Sequence, residues 1–262
     1  MMIDSHLHFG QIGEFNMPKE MLITSLAKYN IDIAIVSNIE GCEFDSELNL
    51  IPEKEQVAQL EVNRRTLKLV KTYPDKLRGQ FWIKPYQEGF DSEVEEFILN
   101  NRKYFVGLKV HPYHSNLALT EQQCQPYLEF ANQHQLSVAV HTADDEKSRP
   151  YHVYQMAQKY NQIDFIMVHL GLGTDNSQAI KYVAQQENLY GDTTWVSYAH
   201  VKKKKKKCGA DKILFGTDSP IDGVDTYQKY EQFLEAEKNA WPPEVQKQVF
   251  STNAKKVFNL TE

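Results

Sequence analysis

The stretch Ile3-Asp4-Ser5-His6-Leu7-His8-Phe9-Gly10 sets the architecture that we expect of the whole chain. Side chains alternate along a β-strand, so Asp4, His6 and His8 are predicted to share one face. Two imidazoles two residues apart on a strand are close enough to bind one metal ion, and Gly10 lets the backbone turn away directly after them. A surface strand that happens to carry two histidines has the same pattern, so the metal hypothesis needs further ligands at later strands.

Composition, net charge and cysteine spacing argue against several classes of protein. The chain has 262 residues, of which 41% are hydrophobic and 24% charged, as in soluble globular proteins. A net charge of −6 argues against a general nucleic-acid binder. No stretch resembles a signal peptide or a membrane span, and Cys42, Cys124 and Cys208 form no C-x-x-C pair. We therefore expect a cytoplasmic protein with structural thiols and no nucleic-acid or membrane partner.

Apolar runs alternate with helical patterns along the whole chain, which predicts eight strand–helix units. A capping-box pattern at Thr120-Glu121-Gln122-Gln123 marks one predicted helix start. The predicted strands cover 3–10, 31–36, 77–85, 105–112, 136–142, 163–171, 189–195 and 213–220. The predicted helices cover 19–29, 52–73, 90–103, 120–134, 150–160, 177–186, a stretch ending at 208, 225–239 and 242–258.

This order predicts an α/β fold, a single (β/α)8 TIM barrel with C-terminal helices that occupies 1–262 as one domain. Several strands are continuous apolar runs, as expected of strands buried on both faces of a parallel sheet. An open doubly wound sheet is the alternative. Such sheets usually carry a glycine-rich phosphate turn after the first strand, and the motif G-x-G-x-x-G is absent.

The run Lys202–Lys207 lies in the seventh predicted helical stretch, where helical spacing calls for apolar residues near positions 204, 205 and 208. A solvated helix face explains the run most simply, since long lysine stems can cover apolar surface. A local docking patch for an anionic partner is the alternative.

Polar residues collect at the carboxyl ends of the predicted strands, where barrel enzymes build their active sites. Five of the nine histidines and one aspartate fall there: His6, His8, His111, His141, His169 and Asp218. The remaining histidines fall in loops or helices, and His114 is the one expected near the mouth of the site. This convergence predicts a metal centre.

Neutral imidazoles with a carboxylate suit one divalent ion, zinc first, with manganese or iron as alternatives and a second metal less expected. Asp218 is predicted either to bind the metal or to take a proton from water bound to it. Asp4 is an even number of residues from His6 and His8 and is predicted to lie on the same face of the strand. We therefore expect it to form a hydrogen bond to a ligand histidine on the side away from the metal.

Asp-Ser-His-Leu-His, Gly-Leu-Lys-Val-His-Pro, Val-His-Thr, Val-His-Leu-Gly and Leu-Phe-Gly-Thr-Asp-Ser-Pro, in this order, resemble the amidohydrolase-related TIM-barrel metal-dependent hydrolases. The match is to the branch that includes aminocarboxymuconate-semialdehyde decarboxylase. The resemblance implies that His6, His8, His141 and Asp218 bind the metal. It implies that His169 orients the attacking water or the substrate, or binds a second metal, so that Asp218 and His169 are the catalytic pair.

Lys109 and His111 lie two residues apart on the fourth predicted strand and are expected to face the same side. In related binuclear members a lysine on this strand is carbamylated and bridges two metals. The alternative is a cation that binds a substrate carboxylate, with His111 as a further substrate contact. TatD-type DNases usually carry a glutamate at this place, so Lys109 argues against that activity. Four further residues are expected either to line the pocket or to pack: Trp82, Lys84, Asp192 and Thr194.

The activity expected first is hydrolysis of a small amide, ester or lactone by a metal-activated water. The alternative is non-oxidative decarboxylation or hydration of a small unsaturated or aromatic acid, because this branch contains all three reactions. A metal-binding or scaffold protein without catalysis is a third hypothesis, against which the complete polar constellation speaks. The expected partner is a small-molecule substrate, and a homodimer is left open.

Overall fold

A single sheet forms the centre of the computed structural model, which describes residues 1–235 and 241–260. The strand order is β2-β1-β3-β4-β5-β6-β7-β8-β9. β1 and β2 form an antiparallel hairpin, and the other neighbouring strands pair in parallel. The strands are β1 (Ile3–Ile12), β2 (Phe15–Met17), β3 (Ile33–Asn38), β4 (Leu77–Trp82), β5 (Phe105–Val110), β6 (Ser137–Ala143), β7 (Phe165–Leu172), β8 (Leu189–Asp192) and β9 (Ile213–Leu214).

The sheet closes on itself because the chain after β9 bonds to β1. The backbone N–H of Ser5 donates to the Phe215 carbonyl at 2.8 Å, and that of Asp218 donates to the His6 carbonyl at 2.9 Å. Eight parallel segments therefore surround one axis, and the predicted (β/α)8 barrel is confirmed.

Helices cover the outside of the barrel and its amino-terminal end. No helix in the described part of the chain is both long and apolar enough to cross a membrane. The α-helices are α1 (Lys19–Lys28), α2 (Gln59–Thr72), α3 (Ser92–Asn100), α4 (Pro112–Ser115), α5 (Gln125–His134), α6 (Pro150–Lys159), α7 (Ser177–Gln185), α8 (Tyr198–Cys208), α9 (Glu231–Leu234), α10 (Pro243–Lys247) and α11 (Asn253–Val257). A π-helical segment, Gln248–Thr252, joins α10 to α11.

Apolar side chains fill the amino-terminal half of the barrel interior. Ile3, Ile35, Ile166 and Leu214 pack there against Phe258, which follows α11, so the last helix closes this end of the barrel. A larger apolar layer lies between the strands and the outer helices. The polar residues of the interior are thereby confined to the carboxyl ends of the strands.

Several element boundaries differ from the predictions. The second predicted helix begins only at Gln59, after a short 3-10 turn (Glu53–Glu55) and an extended Ala58. No capping box forms at Thr120, whose hydroxyl lies 3.2 Å from His152 Nδ1. The seventh and eighth strands are shorter than predicted because their carboxyl ends bend into the site. The predicted helix over 225–239 appears as a 3-10 segment (Thr226–Tyr230) and α9, and its last residues lie outside the described part of the chain.

Strict alternation fails in β1. Its register against β3 shifts between Asp4 and Leu7, so Asp4 does not share the surroundings of His6 and His8. The Asp4 carboxylate accepts hydrogen bonds from Thr217 Oγ1, from Tyr227 OH and from the backbone N–H of His6, and no imidazole in the described part of the chain bonds to it. The predicted bond from Asp4 to a ligand histidine is therefore present, but it comes from the backbone of His6 and not from an imidazole.

Gly10 has a different role from the one predicted. The strand continues past it to Ile12. Its φ is +114°, and a Cβ there would lie 2.2 Å from Asn38 Oδ1. Glycine is needed because the hairpin backbone passes directly over Asn38.

The lysine run forms most of α8, and one of its members is buried. Lys204 is fully buried, and its ammonium donates to the carbonyl oxygens of Gly191 at 2.7 Å and Lys212 at 3.0 Å. Burial lowers the pKa of Lys204 to about 8. The predicted apolar position at 204 is thus occupied by a lysine that ties α8 to the end of β8.

Candidate metal centre

The predicted site residues meet at the carboxyl end of the barrel. Their positions follow from the strands that carry them: β1 supplies His6 and His8, β5 ends at Lys109 and Val110 before His111, β6 supplies His141, β7 supplies His169, and Asp218 follows β9. Five of these seven residues are buried, and the other two, His111 and His141, are partly exposed and line a cavity.

His6, His8 and Asp218 form a compact group whose ligand atoms all lie within 4.8 Å of one another. His6 Nε2 lies 2.9 Å from His8 Nε2. Asp218 Oδ1 lies 3.4 Å from His8 Nε2 and 3.8 Å from His6 Nε2. All three residues are buried, and His8 and Asp218 also line the cavity described below.

The outer nitrogen of each imidazole is held by a side chain from a neighbouring strand. Thr194 Oγ1 donates to Asp192 Oδ2 at 2.8 Å and lies 3.2 Å from His6 Nδ1. Because the threonine proton points to Asp192, His6 Nδ1 is the donor and His6 Nε2 carries a lone pair. Ser37 Oγ lies 2.9 Å from His8 Nδ1. Such outer contacts fix the orientation of metal-binding histidines.

The electrostatics of the group suit a cation. Burial, with the nearby Lys109 charge, lowers the pKa of both His6 and His8 well below the usual value, so both rings are neutral. Burial raises the pKa of Asp218 to about 6, partly offset by its bond from Trp195. Two neutral imidazole nitrogens and a carboxylate oxygen are a donor set for zinc, manganese or iron. The residues present therefore fit a divalent metal.

Lys109 lies beside this group. Its Nζ is 2.8 Å from His6 Nε2, it is fully buried, and burial lowers its pKa to about 8. This position is compatible with both predicted roles of Lys109. It is predicted either to bind a substrate carboxylate or to bridge two metals.

His141 lies in an adjacent stack of aromatic rings. The His111 and His141 rings are stacked with centroids 3.9 Å apart and planes 17° apart, and Trp82 stacks behind His111 at 5.8 Å. The His141 ring also meets the His169 ring edge-on at 4.7 Å. His141 is thus next to the three-residue group but outside it, and its role as a ligand stays a prediction.

His169 and Asp218 share an unusual backbone conformation. Each has a φ of +67°, a left-handed value that is uncommon outside glycine and that tends to occur at functional sites. Asp192 Oδ1 accepts the backbone N–H of His169 at 3.0 Å, while Oδ2 of the same carboxylate lies 3.4 Å from His6 Nδ1. One carboxylate, that of Asp192, therefore contacts both His6 and His169.

A cavity of about 550 Å³ opens above the metal group. No lysine or arginine of the described chain lines it, and Asp144 and Asp145 stand among its polar residues. Lys84 is not part of it, since its ammonium is taken by Glu88 and Gln56 beneath a neighbouring loop. The lining is otherwise mostly apolar and aromatic: His8, Phe15, Met17, Ile39, His111, Tyr113, His114, His141, Ala143, His169, Leu172, Trp195, Asp218 and Ile221.

Two residues of the site have no counterpart in the sequence analysis. Trp195 donates its indole N–H to Asp218 Oδ2 at 3.0 Å, and Ser37 contacts His8. Trp195 ends the seventh predicted strand, and that position is the signal that could have identified it. No sequence signal singles out Ser37.

Solved structures of three enzymes share this fold over nearly all of both chains. A 5-carboxyvanillate decarboxylase from Novosphingobium aromaticivorans with bound manganese has a TM-score of 0.72 at 13% identity, covering 99% of this chain and 96% of that one. A dihydroxybenzoic acid decarboxylase from a Polaromonas species, also with manganese, has a TM-score of 0.73 at 17% identity, with 98% and 96% covered. A "probable 2-pyrone-4,6-dicarboxylic acid hydrolase" from Acinetobacter baumannii has a TM-score of 0.65 at 15% identity, with 99% of each chain covered.

At these identities the neighbours establish the fold alone. No curated protein sequence matches the chain. A family model does match, over residues 50–260, which is most of the chain, and its description is amidohydrolase. The barrel, the histidines at its strand ends and this match agree with the resemblance drawn from the motifs: the chain belongs to the amidohydrolase family.

Proposed function

We propose that this protein is a metal-dependent, non-oxidative decarboxylase of a small aromatic or unsaturated acid. The observation that carries the proposal is the stack of parallel rings formed by Trp82, His111 and His141 beside the metal group. A flat-walled, largely apolar cavity fits a planar ring better than a flexible chain. Two of the solved structures with this fold are decarboxylases of aromatic acids. For this reason we prefer decarboxylation to the hydrolysis that the sequence analysis expected first.

His6, His8 and Asp218 would hold the metal, with His141 as a further ligand. We put manganese or zinc first, because manganese is the ion in the two decarboxylase structures and the donor set suits both. A divalent ion bound there would supply positive charge that holds and polarises oxygen atoms of the substrate. Lys109 Nζ contacts His6 Nε2 behind the cavity wall and would add positive charge beside the carboxylate that is lost.

The reaction breaks the bond between the ring carbon and the carboxyl carbon. Carbon dioxide leaves, and the electron pair left on the ring carbon takes up one proton. Asp218 lines the cavity, its Oδ2 accepts the indole N–H of Trp195, and its Oδ1 lies 3.4 Å from His8 Nε2. We propose that the Asp218 carboxylate holds and delivers this proton and that His169 orients the substrate.

Hydrolysis of a lactone, ester or amide is the second candidate. The specific observation that favours it is the pair Asp218 and His169, two proton-handling groups that both line the cavity next to the metal group. The hydrolase among the solved structures acts, by its name, on a pyrone, which is a planar cyclic ester.

The test compares both reactions on the protein reconstituted with manganese or zinc. Hydroxybenzoates are assayed for release of carbon dioxide, and lactones and amides for acid production. We expect carbon dioxide from at least one hydroxybenzoate and a loss of at least about 100-fold in Asp218→Asn, with the metal retained. Acid production from lactones without any carbon dioxide would transfer the assignment to the hydrolase, and full turnover in Asp218→Asn would remove the proposed proton role.

A further inference from the structure

The opposite end of the barrel carries two polar cavities that the metal centre does not use. They have volumes of about 260 Å³ and 370 Å³ and lie where β4 to β7 begin. Arg102, Gln135, Val257 and Asn259 line both of them, so the two cavities meet along a common wall. This end of a barrel is usually occupied by residues that serve stability.

Positive charge collects around these cavities, although the chain as a whole carries a net charge of −6. The cationic lining residues are Arg78, Arg102, Lys103 and Lys256, and the acidic one is Asp164. Burial raises the pKa of Asp164 and the nearby Lys256 charge partly offsets this, so that carboxylate already has a cationic neighbour. Within the described residues Arg78, Arg102 and Lys103 form no ion pair with a carboxylate.

Arg102 is the central observation. Its guanidinium donates one hydrogen bond, to the carbonyl oxygen of Phe105 at 3.0 Å, which holds the side chain in place. Within 1–235 and 241–260, no carboxylate forms an ion pair with it. Burial lowers its pKa, with no carboxylate opposing that effect. A half-buried guanidinium normally has an anionic partner, because desolvating an unpaired charge is costly.

Two neighbours extend this pattern. Arg78 donates only to the carbonyl oxygens of Pro74 and Leu77, so its charge is also uncompensated within the described chain. The Nε2 atom of His134, which lines the larger cavity, is buried and has no hydrogen-bond partner. The cavities thus offer two guanidinium groups to a small ligand, with the buried His134 ring in the wall of the larger one.

We propose that this end of the barrel is a second binding site, specific for a small anion with a phosphate or carboxylate group, and that Arg102 is its main anchor. The planar guanidinium fork matches both groups through paired N–H bonds. Arg78 and Lys103 add charge from the same side. The site is on the barrel face opposite the metal centre, so the proposal is independent of the reaction assigned there.

The test titrates the metal-loaded full chain with inorganic phosphate and, separately, with citrate, by calorimetry at constant ionic strength. We expect saturable binding of at least one anion and a loss of about tenfold or more in Arg102→Gln. Arg149→Gln, which removes an exposed arginine elsewhere, is the matched control and should bind as the wild type does. The tighter anion identifies whether phosphate or carboxylate is the preferred group.

Equal binding in the wild type and in Arg102→Gln would overturn the proposal, as would the absence of saturable binding to either anion. If Arg102→Gln does not fold, Lys103→Gln replaces an exposed member of the same cluster and should weaken binding several-fold. The double variant His6→Ala/His8→Ala should retain the anion affinity, which separates this site from any binding of anions at the metal.

Discussion

The indole N–H of Trp195 donates to Oδ2 of Asp218 at 3.0 Å, so one carboxylate oxygen is held from the cavity rim while the other faces His6 and His8. The indole itself is fixed from outside. Lys229 Nζ lies 3.9 Å from its ring centroid, and the Trp195 backbone N–H donates to Tyr230 OH at 3.0 Å. This arrangement sets the orientation of Asp218 before any substrate arrives.

Replacing Trp195 by phenylalanine tests that role. The variant keeps an aromatic wall but loses the donor to Asp218, so we expect about a tenfold loss in kcat, with the metal content per chain unchanged. Lys229→Met is the matched control, because it removes the cation above the ring and leaves the indole bond intact. An equal loss of kcat in both variants would attribute the effect to the loop and not to the hydrogen bond.

Replacing His6 and His8 together by alanine should abolish metal binding. The two imidazoles removed by these substitutions supply the converging nitrogen atoms of the group, and the ligands that remain are too few to hold the ion. Elemental analysis of purified protein should give about one metal per wild-type chain and close to none in the double variant. His152→Ala, a histidine outside the cavity, should keep the wild-type content, and retention of metal in the double variant would exclude the proposed ligands.

Replacing Lys204 by methionine tests its place in the barrel wall. Methionine fills the same space but leaves the Gly191 and Lys212 carbonyl oxygens without their donor, which should lower the free energy of unfolding by about 1–3 kcal/mol. Urea unfolding measures the change. Lys206→Met, at an exposed position of the same run, should stay within about 0.5 kcal/mol of the wild type. Two equal values would show that the buried ammonium contributes nothing.

Glu43 predicts a pH dependence of stability. Burial raises its pKa from 4.5 to about 7, against the opposing effect of bonds from the Gln87 and Tyr86 backbone. Between these pH values the folded protein holds a proton that the unfolded chain releases. The contribution of Glu43 to the free energy of unfolding is therefore complete below about pH 4.5 and decreases as the pH rises to about 7.

The variant Glu43→Gln lacks this titration. The stability of the wild type minus that of the variant should fall between pH 4.5 and pH 7 by an amount on the order of a few kcal/mol. Urea unfolding at several pH values measures the difference. Glu53→Gln, at an exposed position, should show no such slope, and a flat difference for Glu43→Gln would contradict the buried ionisation.

The barrel, and the site residues that lie at the ends of its strands, could be predicted from the sequence. His6, His8 and Asp218 were predicted because each lies at the end of an apolar run, and parallel strand ends meet at one face. The position of Asp4 was not predictable, because a register shift in β1 depends on the pairing with β3. The bond from Trp195 to Asp218 joins two loops, and no local pattern specifies where an indole points.

The burial of Lys204 is a second feature that the sequence could not predict. A run of lysines predicts a solvated surface, and most of Lys202–Lys207 fits that expectation. The burial of one member depends on two carbonyl oxygens supplied by distant segments, at Gly191 and Lys212. Only the assembled barrel shows which lysine of the run has acceptors.

The hydrogen bond from the Asp218 backbone N–H to the His6 carbonyl joins the first strand to the segment after the last one. The metal-binding atoms of His6, His8 and Asp218 therefore come from the first strand and from the segment after the last strand. They meet only once the barrel has closed. A metal that binds these residues favours the closed chain over every open form, so its binding free energy adds to the stability of the whole barrel. Metal removal should then weaken the junction between first and last strands before it affects the remaining strand pairs, and amide hydrogen exchange at Ser5 and Asp218 would report that opening.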